Sequence, residues 1–174
     1  MIPMMPNRPD LRPEPTIINR KKPAMHISQK CQYTLRALFE LAKRYGTGPV
    51  SAAEIAETQA IPPRFLELIL QGLKDSWEVE SRRGNNGGYM LAVPPELITV
   101  GDVIRSVDGS LAPVQCVSGR GQGHCRLKSQ CAFMDVWQKA HNAIEAVYDS
   151  FTLQDLIDNE RSNAEQLGPL EYVV

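Results

Sequence analysis

The sequence predicts a mainly helical chain: a winged helix-turn-helix with a small β-hairpin wing, followed by a long C-terminal dimerisation helix. Three observations predict it. Three helical hydrophobic patterns follow one another over residues 28–74. The period then switches to alternation around Arg82-Arg83-Gly84-Asn85-Asn86-Gly87-Gly88, an Asn/Gly-rich turn flanked by Trp77, Val79 and Tyr89-Met90-Leu91. Finally, a wide apolar and aromatic stripe at helical spacing occupies residues 131–151.

Each element has a local reason. Residues 1–24 carry prolines at positions 3, 6, 9, 13, 15 and 23 and almost no apolar periodicity, so they read as a disordered extension. Met25 stands where the folded pattern begins and is an alternative start. Ser28 caps a first helix reaching to about residue 45, with Cys31, Leu35, Leu38, Ala42 and Tyr45 on one stripe, and Gly46 and Gly48 end it. Ser51-Ala-Ala-Glu54 is a capping box that opens a short second helix. After a turn through Ala60, Pro62-Pro63 suits the first turn of a third helix that buries Leu66, Ile69, Leu70 and Leu73. Past the hairpin, Thr99 caps a fourth helix containing Val100, Val103, Ile104 and Val107, ended by Gly109. The long helix starting at Cys131 displays Phe133, Val136, Trp137, Ala140, Ile144, Val147, Tyr148 and Phe151. One isolated helix cannot bury that much, so it packs on the domain or pairs with its copy. A last helical turn spans 153–157, and the tail beyond reads as loose. The organisation expected is thus an extension at 1–24, a DNA-binding domain at 25–95, a linker helix and cysteine loop at 96–130, a dimerisation helix and short terminal helix at 131–160, and a flexible tail at 161–174.

Bulk properties narrow the class. With 174 residues, 43% hydrophobic and 22% charged, the chain holds one domain, or a small domain plus an oligomerisation element. No segment approaches the roughly 20 apolar residues of a membrane span, and no apolar leader precedes the folded pattern, so a cytoplasmic protein without membrane partners is expected. The net charge of −1 gives no global reason to bind a polyanion, but its distribution does. Residues 1–24 carry +3, residues 25–93 +1 and the remainder −5. A polyanion would meet the N-terminal half. No paired carboxylates, nucleophile–base pair or phosphate-cradling loop tied to a strand and helix is found, which argues against an enzyme.

Two constellations carry chemistry. A recognition helix presents its N-terminal residues to base edges in the major groove. Here those residues are Pro62, Pro63, Arg64 and Glu67: Arg64 can take a phosphate or guanine, and Glu67 can accept from a cytosine amine. Arg82 and Arg83 lie at the wing tip, where a guanidinium contacts phosphate or enters a narrow minor groove, and Gly84 lets the backbone approach DNA. The second constellation is Cys116, Cys125 and Cys131 in one polar, glycine-containing loop. In a reducing compartment such clustering favours a soft metal over disulfides. The spacing C-x8-C-x5-C differs from the C-x2-C knuckles of structural zinc and suits a body of several irons. Zinc stays open, because His124 beside Cys125 would complete a four-ligand site, and so does a set of unrelated loop thiols. Cys31 falls on the apolar stripe of the first helix and reads as a buried, inert thiol. His26 and His141 read as ordinary polar positions.

These residues resemble the IscR/NsrR/RirA group of winged-helix iron–sulfur transcription regulators, with the cysteine-metabolism repressor CymR as a relative. The resemblance covers about residues 25–160. It rests on Met25-His-Ile-Ser-Gln-Lys30, on the wing Ser81-Arg-Arg-Gly-Asn-Asn-Gly-Gly-Tyr-Met-Leu91, on Thr99-Val-Gly-Asp-Val-Ile104, and on the cysteine loop before the long helix. It implies a homodimer crossed through the long helix, with two winged helices on the double-stranded DNA of a palindromic operator. It also implies a 2Fe–2S or 4Fe–4S cluster on Cys116, Cys125 and Cys131, and base and minor-groove reading by Glu67 and Arg83. Where IscR-like proteins place a histidine ligand three residues after the third cysteine, this chain has Met134. Where other members draw a ligand from the partner's first helix, it has Gln32, with Cys31 adjacent. The fourth ligand is therefore open among Cys31, Gln32, His124, Met134 and solvent.

Overall fold

The computed structural model describes residues 27–74, 79–84, 87–118 and 127–167. The extension at 1–24, Met25, Trp77, the Asn85-Asn86 turn, His124 and Cys125 lie outside the described residues. Six α-helices and one hairpin are formed: α1 (Gln29–Lys43), α2 (Ala52–Thr58), α3 (Pro63–Lys74), β1 (Val79–Arg82), β2 (Gly88–Leu91), α4 (Val100–Val107), α5 (Met134–Asp149) and α6 (Leu153–Leu167). The strands pair antiparallel, Val79 opposite Leu91 and Arg82 opposite Gly88.

Caps fix where the helices begin. The Cys31 amide donates to Ser28 Oγ (3.1 Å) at the start of α1, and the Glu54 amide donates to Ser51 Oγ (3.2 Å) at the start of α2. Only the serine half of the Ser51–Glu54 box is formed; the Glu54 carboxylate turns to Arg44 instead, at 2.9 Å. A complete box occurs at α4, where the Asp102 amide donates to Thr99 Oγ1 (3.0 Å) and the Thr99 amide to Asp102 Oδ2 (3.2 Å). Each such cap contributes about 1 kcal/mol by satisfying amides that have no helical partner.

α1 is the hub, packing against α2, α3, β2, α4 and α6. Its Ala37, Leu38 and Leu41 join Ile55, Leu66, Ile69, Leu70, Val79, Leu91, Val103 and Leu153 in one core. Truncating a fully buried leucine such as Leu66 or Leu70 to alanine costs about 2–5 kcal/mol. A carboxylate is sealed in this assembly. The buried Glu40 carboxylate accepts from Gln59 Nε2 (2.8 Å) and pairs with Lys43 (3.3 Å), which also reaches Glu160 on α6 (3.4 Å).

Three elements differ from the sequence reading. α1 stops at Lys43, and Tyr45 sits in the following turn, half exposed. α5 starts at Met134 rather than Cys131, because Cys131 is extended (ψ 110°) after the 3₁₀ turn over Lys128–Gln130. Most plainly, the expected single turn at 153–157 with a loose tail after it is a 15-residue helix reaching Leu167. Thr152 and Asp155 cap each other at its start: the Asp155 amide donates to Thr152 Oγ1 (3.1 Å) and the Thr152 amide to Asp155 Oδ2 (2.8 Å). The hydrogen bonds to the Thr152 hydroxyl and amide hold the exposed Asp155 carboxyl below the usual range.

Candidate nucleic-acid interface and cysteine loop

The turn from α2 to α3 passes through Ala60 at φ +48°, a left-handed backbone, and the Ile61 amide then closes onto Ala56 O (2.9 Å). That turn sets α3 across α2 with Leu66, Ile69, Leu70 and Leu73 inward. Arg64, Glu67, Leu68 and Gln71 are left exposed on its outer side. The hairpin is anchored beside them by a two-way bridge: the Val50 amide donates to Tyr89 O and the Tyr89 amide to Val50 O, both at 2.8 Å. Gly88 makes the bridge possible, since a Cβ there would strike the Val50 carbonyl. Arg82, Arg83 and Gly84 are exposed at the wing tip, and Gly84 turns the chain at φ +117°. Among the described residues, no ion pair or hydrogen bond occupies the guanidinium of Arg64, Arg82 or Arg83. Exposed cations of this kind recognise phosphate.

The cysteine loop leaves α4 and returns into α5. Asp108, the residue capping the end of α4, accepts from the Ser28 amide (2.7 Å) and from Ser28 Oγ (2.5 Å), so the loop's root is clasped to the start of α1. Cys116 lies in a 3₁₀ turn over Gln115–Val117 that packs on α5 through a segment containing buried Val117. Cys131 ends the loop, and its carbonyl accepts from the Met134 amide (3.2 Å) as α5 begins. Both thiols are free and partly exposed. Cys125, the middle candidate ligand, lies outside the described residues, and among those residues no trio of Cys, His, Asp or Glu converges on one point. The two described donors nevertheless fit a soft metal in kind, being unpaired sulfurs accessible at either end of one loop.

Cys31 is different. It is fully buried, and burial, with the Asp108 carboxylate adding to it, pushes its thiol up to about 12. It stays protonated at neutral pH, as a core thiol should. Gln32 is exposed, with its side-chain amide donating to Ile27 O (3.0 Å). Met134 is partly buried at the first position of α5.

His141 is where the sequence reading fails. It is the buried residue of α5, at 9% exposure, and its Nδ1 has no hydrogen-bond partner. Its Nε2 lies 3.6 Å from the Glu145 carboxylate one turn on. The signal available was its position on the helical stripe of Trp137, Ile144 and Tyr148, which the reading of His141 as an ordinary polar position left unused. The apolar stripe of α5 also divides: Trp137, Ile144 and Tyr148 are partly buried, while Phe133, Val136, Val147 and Phe151 stay 41–62% exposed.

Comparison with known proteins places this geometry. The Rrf2 family model, described as an iron-dependent transcriptional regulator, matches residues 27–159. The chain is 36% identical over 132 residues to the transcriptional regulator CymR of Bacillus subtilis, covering 76% of this chain and 89% of that protein. It is 35% identical over 136 residues to NsrR of Bacillus licheniformis, covering 78% and 94%. Among solved structures, CymR, described as the global cysteine regulator of B. subtilis, superposes with a TM-score of 0.65 at 34% identity, over 78% of this chain and 98% of that one. IscR of T. potens does so at 0.62 and 34% identity, over 78% and 88%. A helix-turn-helix with free arginines on its outer side and wing, in a chain so matched, belongs to the Rrf2 family of DNA-binding transcriptional regulators, which are not enzymes.

Proposed function

We propose that the chain acts as a homodimer on a palindromic operator, and that an iron–sulfur cluster held by Cys116, Cys125 and Cys131 sets its grip on DNA. The observation that carries the reading is the division of the thiols. Cys31 is sealed in the core with a raised pKa, whereas Cys116 and Cys131 stand free at the two ends of the loop joining α4 to α5. A cluster bound there would supply reversible redox and nitrosylation chemistry, and a state that depends on iron supply. The rest is done by the chain. The loop is rooted at Asp108, which clasps Ser28, and α1 packs on α3, so a rearranged loop reaches the recognition helix through two packed contacts. A bias of a few kcal/mol suffices to switch operator occupancy. Arg64, Glu67, Arg82, Arg83 and Gly84 form the DNA-facing set in this reading.

Dimerisation is supported by the outer side of α5. Phe133, Val136, Ala140, Ala143 and Val147 follow one another at alternating steps of three and four residues, the spacing of a helix–helix seam. A cavity of about 480 Å³ lined by Ile27, Ile104, Leu111, Ala143, Val147 and Tyr148 continues that seam toward α4. A second copy of α5 would cover both.

The test is an optical spectrum of anaerobically isolated protein with iron and sulfide analysis. Visible charge-transfer absorbance is expected, lost in each of Cys116→Ser, Cys125→Ser and Cys131→Ser and kept in Cys31→Ala. A colourless, iron-free wild-type protein with unchanged operator affinity after reconstitution overturns the reading. The likeness to CymR favours a second one, a thiol- or zinc-based regulator on the same fold. It would bind DNA without visible bands.

A further inference from the structure

The outer side of α3 contains a residue that the polar reading of a recognition helix leaves unexplained. Leu68 is 67% exposed and lies one turn beyond Arg64, on the exposed side with Glu67 and Gln71 and away from the buried Leu66, Ile69, Leu70 and Leu73. Phe65 at the edge of the same surface is 46% exposed, its ring set edge-on against Tyr33 at 5.9 Å. One turn past Leu68 comes Gly72, and a Cβ there would meet nothing within 4 Å. Glycine inside a helix costs about 1 kcal/mol relative to alanine, and Gly72 stands at a cleft whose other walls are Lys30 and Thr34 of α1 and Ser106 and Val107 of α4. Arg64 and Leu68 thus set a cation and a bare apolar side chain one turn apart.

We infer that Leu68 reads a thymine, its isobutyl group packing on the C5-methyl in the major groove. The inference rests on α3 being the recognition helix. The argument is chemical. The thymine methyl is the one apolar feature on a base edge in the major groove, and apolar side chains are what recognise it. The free guanidinium of Arg64 one turn away supplies the phosphate or guanine contact that fixes the register. A polar residue at position 68 would forfeit the apolar contact with that methyl. The exposed Leu68, one turn from Arg64, is the feature that points to a close approach by a duplex.

The experiment uses the full chain. Its preferred sites are selected from a random duplex library, and affinities are then measured by fluorescence anisotropy on duplexes with deoxyuridine replacing each required thymine, which deletes only the methyl. Wild-type protein is expected to lose about fourfold in affinity at one thymine of each repeat, the value of burying one methyl group. Leu68→Ala is expected to bind thymine and uracil versions equally, and Leu68→Met to retain the preference. Because Leu68 is exposed, these variants keep their fold, as circular dichroism will verify. Indifference of the wild type to uracil at every required thymine, or an unchanged thymine preference in Leu68→Ala, overturns the inference. If Arg64→Ala and Glu67→Ala also leave the selected motif unaltered, the recognition-helix reading falls with it. If those two alter the motif while uracil has no effect, only the role of Leu68 is lost.

Discussion

At the scale of single residues, backbone conformation and burial decide more than side-chain identity. Ala60 turns the chain from α2 into α3 at φ +48°, a conformation that costs an L-residue roughly 1–2 kcal/mol and glycine almost nothing. Its side chain is exposed, so glycine there gives up little packing. Ala60→Gly is expected to raise the free energy of unfolding by about 1 kcal/mol, read from the midpoint of a urea titration at unchanged slope. Burial separates the cysteines in the same way. Position alone put Cys31 on the inner stripe of α1, and the structure seals it there, because a local helical period suffices to place a residue on a face. The same period also places His141 inward, because Trp137, Ile144 and Tyr148, partly buried residues of α5, stand four before, three after and seven after it.

At the scale of elements, the hairpin is short, and its exposed tip carries free charge. Arg83 has no partner among the described residues, and the hairpin whose tip carries it is held through β2 by the Val50–Tyr89 bridge. Arg83→Ala is expected to weaken DNA binding at every sequence and to reduce the slope of log affinity against log salt by about one, measured by anisotropy across a salt series. An unchanged slope would remove the wing from the interface. The elements that were legible in sequence are those whose apolar faces repeat locally. α1, α3 and α4 each bury a regular stripe, and the alternation of the hairpin is bounded by glycines. α6 was legible only in its first turn. There Leu153 is buried, and Leu156 and Ile157 pack on the core, whereas residues 158–166 are all exposed and offer no apolar period. Good helix formers, the Thr152–Asp155 cap and the Lys43–Glu160 pair extend it instead, and none of these shows in a hydrophobic pattern.

At the scale of the whole molecule, α5 presents two faces with different obligations. One packs inward on α4 and the Cys116 turn, and the other leaves Phe133, Val136 and Val147 more than half exposed. The sequence showed the stripe but not its division, because both faces are apolar and only tertiary contact distinguishes them. A helix face this bare in water is expected to be covered by its copy. Val147→Glu is expected to shift the protein from dimer to monomer in sedimentation equilibrium. Its circular dichroism should be unchanged, and affinity for a two-fold operator should fall by at least tenfold as the second half-site is lost. A monomeric wild type would refute the seam.

The starts of α4 and α6 are spliced by backbone hydrogen bonds, Val100 amide to Phe151 O at 2.8 Å and Leu153 amide to Ile98 O at 2.9 Å. Gly101 admits the Asp149 side chain beside them, where it pairs with Arg105 at 2.7 Å. The stretch from α4 through the cysteine loop and back along α5 is thus a closed circuit, fastened at its base. The circuit borders the DNA-binding unit at the Ser28–Asp108 clasp and the α1–α4 packing. In the proposed reading, a perturbation among the thiols is expected to reach the hub helix through those two places.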